Sequence, residues 1–251
     1  LIKGESQREI LFSTYICHPN MANNELSGPV LASKLIKFFK KKRLRYSMRF
    51  LFIPETIGAI AYLNKNYSAI KKNFLAGFIL TCLSGPGRLT LLESRNKNSL
   101  PEKYAIRAIK SLNLKFKKIS FIHRGSDERQ FCWPNINFDF ISLMHSKYLE
   151  YDEYHTSEDN LSFLNEKSFD TSLKVYKSIV NKINLDYFPL SKTNYEPKLD
   201  TYMNYKNNYH QATKINLFLS YCDGKNNLLD IANITKIEKS RIKKLFLFCL
   251  K

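Results

Sequence analysis

An α/β domain followed by a small helical one is the fold class this sequence predicts, and three observations predict it. Up to about residue 187, short apolar runs of strand length alternate with amphipathic helical patterns. A polar, Tyr- and Asn-rich stretch with Pro189 and Pro197 then interrupts the pattern over residues 188–210. Three short helical patterns close the chain. At 251 residues and 44% hydrophobic content, the chain can bury one core of ordinary size and a small appendage.

Taken in order, Ile10–Ile16 alternates apolar and small residues and reads as a strand. Pro29 opens a helix reaching Lys41, with Val30, Leu31, Leu35, Phe38 and Phe39 at helical spacing. Ser47–Ile53 is a second strand, and Ile57–Leu63 opens a helix. Phe78–Cys82 is almost wholly apolar, as a strand covered on both faces should be. Leu89–Leu92 is a short strand, Glu102–Leu112 a helix, Phe140–Met144 a strand and Glu166–Ile183 a long helix. Such alternation places the strands at Ile10–Ile16, Ser47–Ile53, Phe78–Cys82 and Phe140–Met144 in one largely parallel or mixed sheet. The closing patterns lie near 212–221, 227–233 and 238–250, with Asp223-Gly224 punctuating the first two. They read as a winged-helix-like core at 211–251, suited to protein contact rather than DNA reading. The first residue is Leu1 and a core strand follows closely, so the N-terminal part of the α/β domain at 1–187 is expected upstream.

Charge and cysteine content bound the function classes. The net charge is +18, but Lys is abundant throughout, and the densest run, Lys40-Lys41-Lys42-Arg43, sits where a helix ends and cations complement its dipole. Solvated surface accounts for it, and nucleic acid is not the expected partner. Five cysteines stand singly at 17, 82, 132, 222 and 249, which is neither a disulfide framework nor a zinc ribbon. A reducing, cytoplasmic setting fits, with Cys17 and Cys82 as structural thiols. No apolar run approaches the roughly 18–20 residues that span a bilayer. A homo-oligomer is compatible with all of this.

In open α/β sheets, ligands bind beyond the carboxyl ends of the strands. There the sequence places Cys17-His18-Pro19, Asn23-Asn24-Glu25, Pro54-Glu55-Thr56, Ser84-Gly85, Arg124 to Arg129, and Tyr154-His155 to Asp159. Two imidazoles and several carboxylates on one edge form the inventory of a hydrolytic metal site. Taken singly, each has a structural explanation: a hydrogen-bonded His, Glu55 or Asp159 as a helix cap, Asp127 and Glu128 in a salt-bridged turn with Arg124 and Arg129. Cys17 and His18, as neighbours on a strand, are expected to point to opposite faces. His123, His145 and His210 lack such context and read as structural or surface residues.

The segments themselves go further. His18-Pro19 with Ala22 to Gly28 resembles the H-P…A-N-D-N-L-S-G signature of bacterial proteins with an aminopeptidase-like domain, associated with polysaccharide biosynthesis and belonging to the zinc exopeptidase clan. Phe52 to Gly58 resembles that family's F-I-P-E-T-I-G, and Arg124 to Gln130 and Glu150 to Asn160 match two further motifs in order. Tyr195-Glu196-Pro197 and the closing helices look like its linker and winged-helix appendage.

The resemblance implies a three-layer αβα zinc-exopeptidase-like (phosphorylase/hydrolase-like) domain that hydrolyses a peptide or related amide bond. By position, it makes Glu55 the general base, His18 and His155 metal ligands, and Asp127 part of the metal or substrate shell. Asn24, Arg124, Glu128, Arg129 and Tyr154 are then expected around the substrate. The chain departs from the pattern at the family's bridging Asp, which is Asn24 here, and at a carboxylate after the third strand, which is Gly85. Thr56 stands where the wider clan often has a second Glu, and Ser94 to Lys103 replaces a further conserved-looking segment. These losses point to one zinc ion at most, with Glu25 as the replacement carboxylate. The competing readings are a relative that binds a ligand or partner without turnover, and a nucleic-acid-binding protein.

Overall fold

The computed structural model describes residues 1–199 and 205–250, the side chains of 205–210 excepted. Positions 200–204 of the expected linker, the His210 side chain and Lys251 lie outside the described residues. The chain divides into two compact units, Leu1–Asn184 and Leu185–Lys251.

In the first unit, β1 (Ser6–Tyr15), β2 (Tyr46–Ile53), β3 (Phe74–Ile79), β4 (Leu89–Leu92), β5 (Lys117–Ile119) and β6 (Phe140–His145) form one six-stranded sheet in the order β2-β1-β3-β6-β4-β5. The pairs β1–β2, β1–β3, β3–β6 and β4–β5 are parallel, and β4 runs antiparallel to β6. The four strands read as one sheet therefore do share it. β1 begins four residues before the apolar run and stops at Tyr15, because its N-terminal half pairs with β2 through residues that are not themselves apolar. β5, short and largely exposed, carries no apolar signature and was not legible in the sequence.

The helices α1 (Ser27–Phe39), α2 (Ile57–Asn73), α3 (Leu100–Ser111), α4 (Glu128–Phe131) and α5 (Glu166–Leu185) complete the unit. Alternation along the central strands sorts the two faces. Leu11 and Ile79 pack with Ala59 and Leu63 of α2 and with Phe131 of α4. The next residues along, Phe12 and Phe78, stack on each other with ring centroids 5.3 Å apart, and both meet Tyr176 of α5 edge-on. Helices thus cover both faces, which is why β1 and β3 are buried almost throughout.

α1 comes unusually close to the sheet. A Cβ on Gly28 would collide with the Leu80 carbonyl and the Thr14 side chain, so only glycine permits the approach. The approach pins the loop between β1 and α1 against the end of β3.

The second unit contains α6 (Tyr205–Leu219), α7 (Leu228–Thr235) and α8 (Lys239–Cys249) around a core of Ile215, Phe218, Ile231, Ile242 and Leu245. Asn227 and Asp230 form a reciprocal capping box at the start of α7. Among the described residues this unit is a three-helix cluster, with one isolated bridge between Leu190 and Asp223.

Candidate active site

Four loops meet beyond the carboxyl ends of β1, β2, β3 and β6, and the order β2-β1-β3 makes β1 the point where the chain switches direction across the sheet. That is where open α/β sheets build their sites.

The loop after β1 folds into a single wide π-helical turn, Ala22–Leu26. The Asp159 carboxylate holds its opening residues: Oδ1 accepts from the Asn23 amide at 2.6 Å and Oδ2 from the Asn24 amide at 3.0 Å. Tyr151 donates to the same Oδ2 at 3.2 Å. The Asn23 side chain accepts from the Ser84 amide at 2.9 Å, tying the turn to the segment after β3. Clamped this way, the turn directs Glu25 back at the end of β1. Glu25 Oε1 lies 2.8 Å from His18 Nδ1, and Oε2 accepts from the Cys17 amide at 3.1 Å.

Cys17 belongs to this cluster, contrary to the expectation that it and His18 point apart. Its Sγ lies 3.4 Å from His18 Nδ1 and 3.7 Å from Glu25 Oε1. Strand alternation does not apply, because β1 ends at Tyr15, two residues earlier. Burial, together with the Glu25 and Glu55 carboxylates, pushes the Cys17 thiol up, so by itself it is a poor nucleophile.

His155 lies beside the cluster, its ring centroid 4.8 Å from that of His18, and stacks on Tyr154 at 4.0 Å. Partial burial and the His18 ring push it below the ordinary histidine value, keeping the imidazole neutral as a ligand or proton acceptor must be. It adopts φ 58°, in the left-handed region that non-glycine residues rarely enter and where Asn, Asp and His are enriched.

The loop after β2 carries Glu55, half-buried; the residue that caps α2 is Thr56, whose side chain makes no capping bond. Burial raises its pKa above the ordinary carboxylate value; the nearby Ser126 hydroxyl and Arg129 partly offset this, while Glu25 and Glu128 add to it. Thr56, next in sequence, sits at φ 60°, ψ −68°, a strained conformation for a β-branched residue. Two contacts hold it: its amide donates to Asp127 Oδ1 at 2.7 Å, and its hydroxyl accepts from Arg129 at 3.2 Å.

Asp127 is therefore not grouped with the metal-type donors. It is fully buried beneath Thr56, and its Oδ2 has no hydrogen-bond partner among the described residues. Burial, with Glu55 and Glu128 nearby, raises its pKa to about 7. Glu128 likewise departs from its expected place around a substrate. It is fully buried, and one oxygen accepts from the Gly125 and Ser126 amides and from Tyr148 at 2.6 Å, bracing the turn. Asn24 also faces inward, 2% exposed, and donates to the Tyr15 hydroxyl at 3.4 Å. Arg129 and Tyr154 border the site, while Arg124 is exposed and stacks over Phe121 at 5.1 Å. His145 is buried against the Gly87 carbonyl and His123 is exposed.

The donor set fits one ion. Cys17 Sγ, His18 Nδ1 and Glu25 Oε1 lie 2.8–3.7 Å from one another, separations that a single ion with bonds of about 2.0–2.3 Å can bridge. The position after β3 cannot hold a second carboxylate as the chain stands. A Cβ on Gly85 would run into the Ser146 side chain and come within 2.9 Å of the His145 carbonyl. Sequence reasoning missed Cys17, through the misplaced strand end, and missed the clamp role of Asp159, whose partners lie 135 and 136 residues away.

The fold is of the zinc-aminopeptidase-like α/β class. A zinc aminopeptidase from Bacillus subtilis superposes on 71% of this chain and 47% of its own with a TM-score of 0.62 at 15% identity, a likeness of fold. The chain belongs to the family described as a domain of unknown function (DUF4910), which matches residues 1–186. A Clostridium acetobutylicum protein provisionally named a polysaccharide biosynthesis protein with aminopeptidase-like domain is 35% identical over 96% of this chain. A crystal structure of a peptidase candidate from Clostridium acetobutylicum shares 36% identity over 97% of this chain, with a TM-score of 0.73. The chain spans 57% of the curated relative's length and 56% of that crystal structure's chain.

Proposed function

We propose that this chain carries the active site of a metal-dependent, aminopeptidase-like hydrolase acting on a peptide or related amide bond. His18 and Glu25 would hold one zinc ion, with His155 beside it and Glu55 as general base. The observation that carries this reading is the position of Glu55, a half-buried carboxylate not spent on helix capping and within electrostatic reach of Glu25 and Cys17. The provisional name of the Clostridium relative and the fold of the Bacillus zinc aminopeptidase support the reaction class and the metal.

Zinc at such a site supplies Lewis acidity to a carbonyl and acidifies water. The chain's own residues do the rest. Glu55 takes a proton from the attacking water and returns it to the departing amine, and its raised pKa brings it toward the operating pH. The strained Thr56, held by Asp127 and Arg129, fixes the backbone from which Glu55 projects. Arg129 and Tyr154 border the open side and would orient the substrate. The name of the relative suggests that the amide belongs to a precursor in polysaccharide assembly. The five unpaired cysteines support a cytoplasmic setting, and no described helix is long and apolar enough to cross a membrane.

The second reading, a binding protein without turnover, is favoured by Asn24 and Gly85 in place of two carboxylates. Zinc content of protein purified without chelator, followed by hydrolysis of a panel of aminoacyl-p-nitroanilides, separates the two. Bound zinc with turnover that Glu55→Gln abolishes supports the hydrolase. Bound zinc without turnover favours the binding protein, and a zinc-free protein sinks the metal-dependent reading.

A further inference from the structure

The three ligand atoms at the end of β1 differ in kind: a sulfur, an imidazole nitrogen and a carboxylate oxygen. Their separations can be compared with what a single ion would require. Zinc bonds of about 2.3 Å to sulfur, 2.1 Å to nitrogen and 2.0 Å to oxygen, at tetrahedral angles, set ligand–ligand edges of about 3.6 Å for S···N, 3.5 Å for S···O and 3.3 Å for N···O. The corresponding distances are 3.4 Å from Cys17 Sγ to His18 Nδ1, 3.7 Å from Cys17 Sγ to Glu25 Oε1 and 2.8 Å from His18 Nδ1 to Glu25 Oε1. Both sulfur edges already have zinc dimensions. Only the nitrogen–oxygen edge, closed now by a hydrogen bond, must open by about half an ångström.

We propose that Cys17 supplies a thiolate to the resident ion, making this a mixed sulfur–nitrogen–oxygen centre that takes thiophilic ions such as zinc or cobalt rather than magnesium or manganese. The proposal rests on the single-ion reading above and deepens it by naming the third donor. On binding, the Sγ–H bond breaks, the sulfur–metal bond forms and the proton passes to solvent, with no change of oxidation state. Soft thiolate donors favour zinc, whereas sites for magnesium and manganese are built from oxygens. Three protein donors leave a fourth tetrahedral position open, as catalytic zinc sites require. His155, with its ring 4.8 Å from that of His18, lies beside this donor group without belonging to it. The exposure of Cys17 leaves the sulfur open to ion and reagent alike.

The test uses the full chain with the other exposed thiol removed by Cys249→Ser, and cobalt(II) and zinc(II) as probes. Cobalt should produce a near-ultraviolet sulfur-to-metal charge-transfer band, and zinc should protect Cys17 from a thiol reagent such as dithionitrobenzoate. Cys17→Ser should abolish the band and weaken zinc binding on the order of 100-fold. Cys17→His, which keeps a donor, should retain zinc while losing the band, and its unchanged circular dichroism would exclude misfolding as the cause. A protein that binds zinc yet shows no band, with Cys17→Ser affinity unchanged, overturns the sulfur donor and leaves the hydrolase reading standing. Failure of the parent protein to bind either ion overturns both.

Discussion

The loops after β1 and β2 end side by side, yet they hold their polar groups in opposite ways. After β1, an exposed thiol, a partly exposed imidazole and a buried carboxylate converge with their ligand atoms facing one another. After β2, Glu55 and the buried Asp127 lie near Glu128, and burial first, then neighbouring carboxylates, raise the pKa values of Glu55 and Asp127. The first arrangement gains from a cation. The second gains from protons, because burial disfavours each additional negative charge. Under the proposed reading, one loop would hold an ion and its neighbour would hold and release a proton.

The comparison breaks most directly at Glu55. Glu55→Gln should lower turnover by about 10²–10⁴-fold while zinc content stays unchanged, since the residue belongs to the proton-handling loop. Metal analysis and kinetics on one preparation check both halves, and loss of zinc in this variant would merge the two loops into one function. The acid limb of the parent kcat/KM profile should also lie above the ordinary carboxylate range. Glu55 must be ionised to act, so activity rises as pH climbs through its raised pKa.

Asp159 sharpens the other side. Its carboxylate accepts two backbone amides and the Tyr151 hydroxyl at the turn that aims Glu25. Asp159→Ala leaves those buried donors unmet and should lower stability by about 3–5 kcal/mol, with weaker zinc binding. Chemical denaturation and zinc titration report the two effects, and unchanged values in both would show that the turn holds itself.

Asp127→Asn tests whether burial alone burdens the second loop. A carboxyl with a folded pKa of about 7 against its usual 3.8 leaves stability full below about pH 4 and erodes it as pH climbs toward 7. Asparagine keeps an oxygen for the Thr56 amide and never ionises. The variant should therefore match the parent at pH 4 and exceed it at pH 8 by roughly 2–4 kcal/mol. Parallel pH–stability curves for the two proteins would refute the buried-proton account.

The smallest effect is expected at His155. If it only borders the open position, His155→Ala should keep zinc to within about threefold while kcat or KM shifts. Zinc loss like that of His18→Ala would place it among the ligands instead.

Much of this was written in the chain. Periodicity located the strands of the sheet's parallel part, because apolar alternation and doubly buried runs are local consequences of covering a sheet with helices. The polar residues after each strand could be collected because parallel strands send their carboxyl ends to one edge. What periodicity could not reach depended on where elements stop and on which distant groups meet. Cys17 joined His18 because β1 ends at Tyr15, a boundary set by pairing with β2 and β3 rather than by any residue at the end itself. Asp127 and Glu128 read as open-edge carboxylates, yet packing buried them under Thr56 and Tyr148, and burial rather than residue type raised the proton affinity of Asp127. Asp159 read as a helix cap and became the clamp of a turn 135 residues upstream. Residue type is a local property and the sequence by itself determined it; solvent exposure and long-range partnership are not local, and only the tertiary structure decided them.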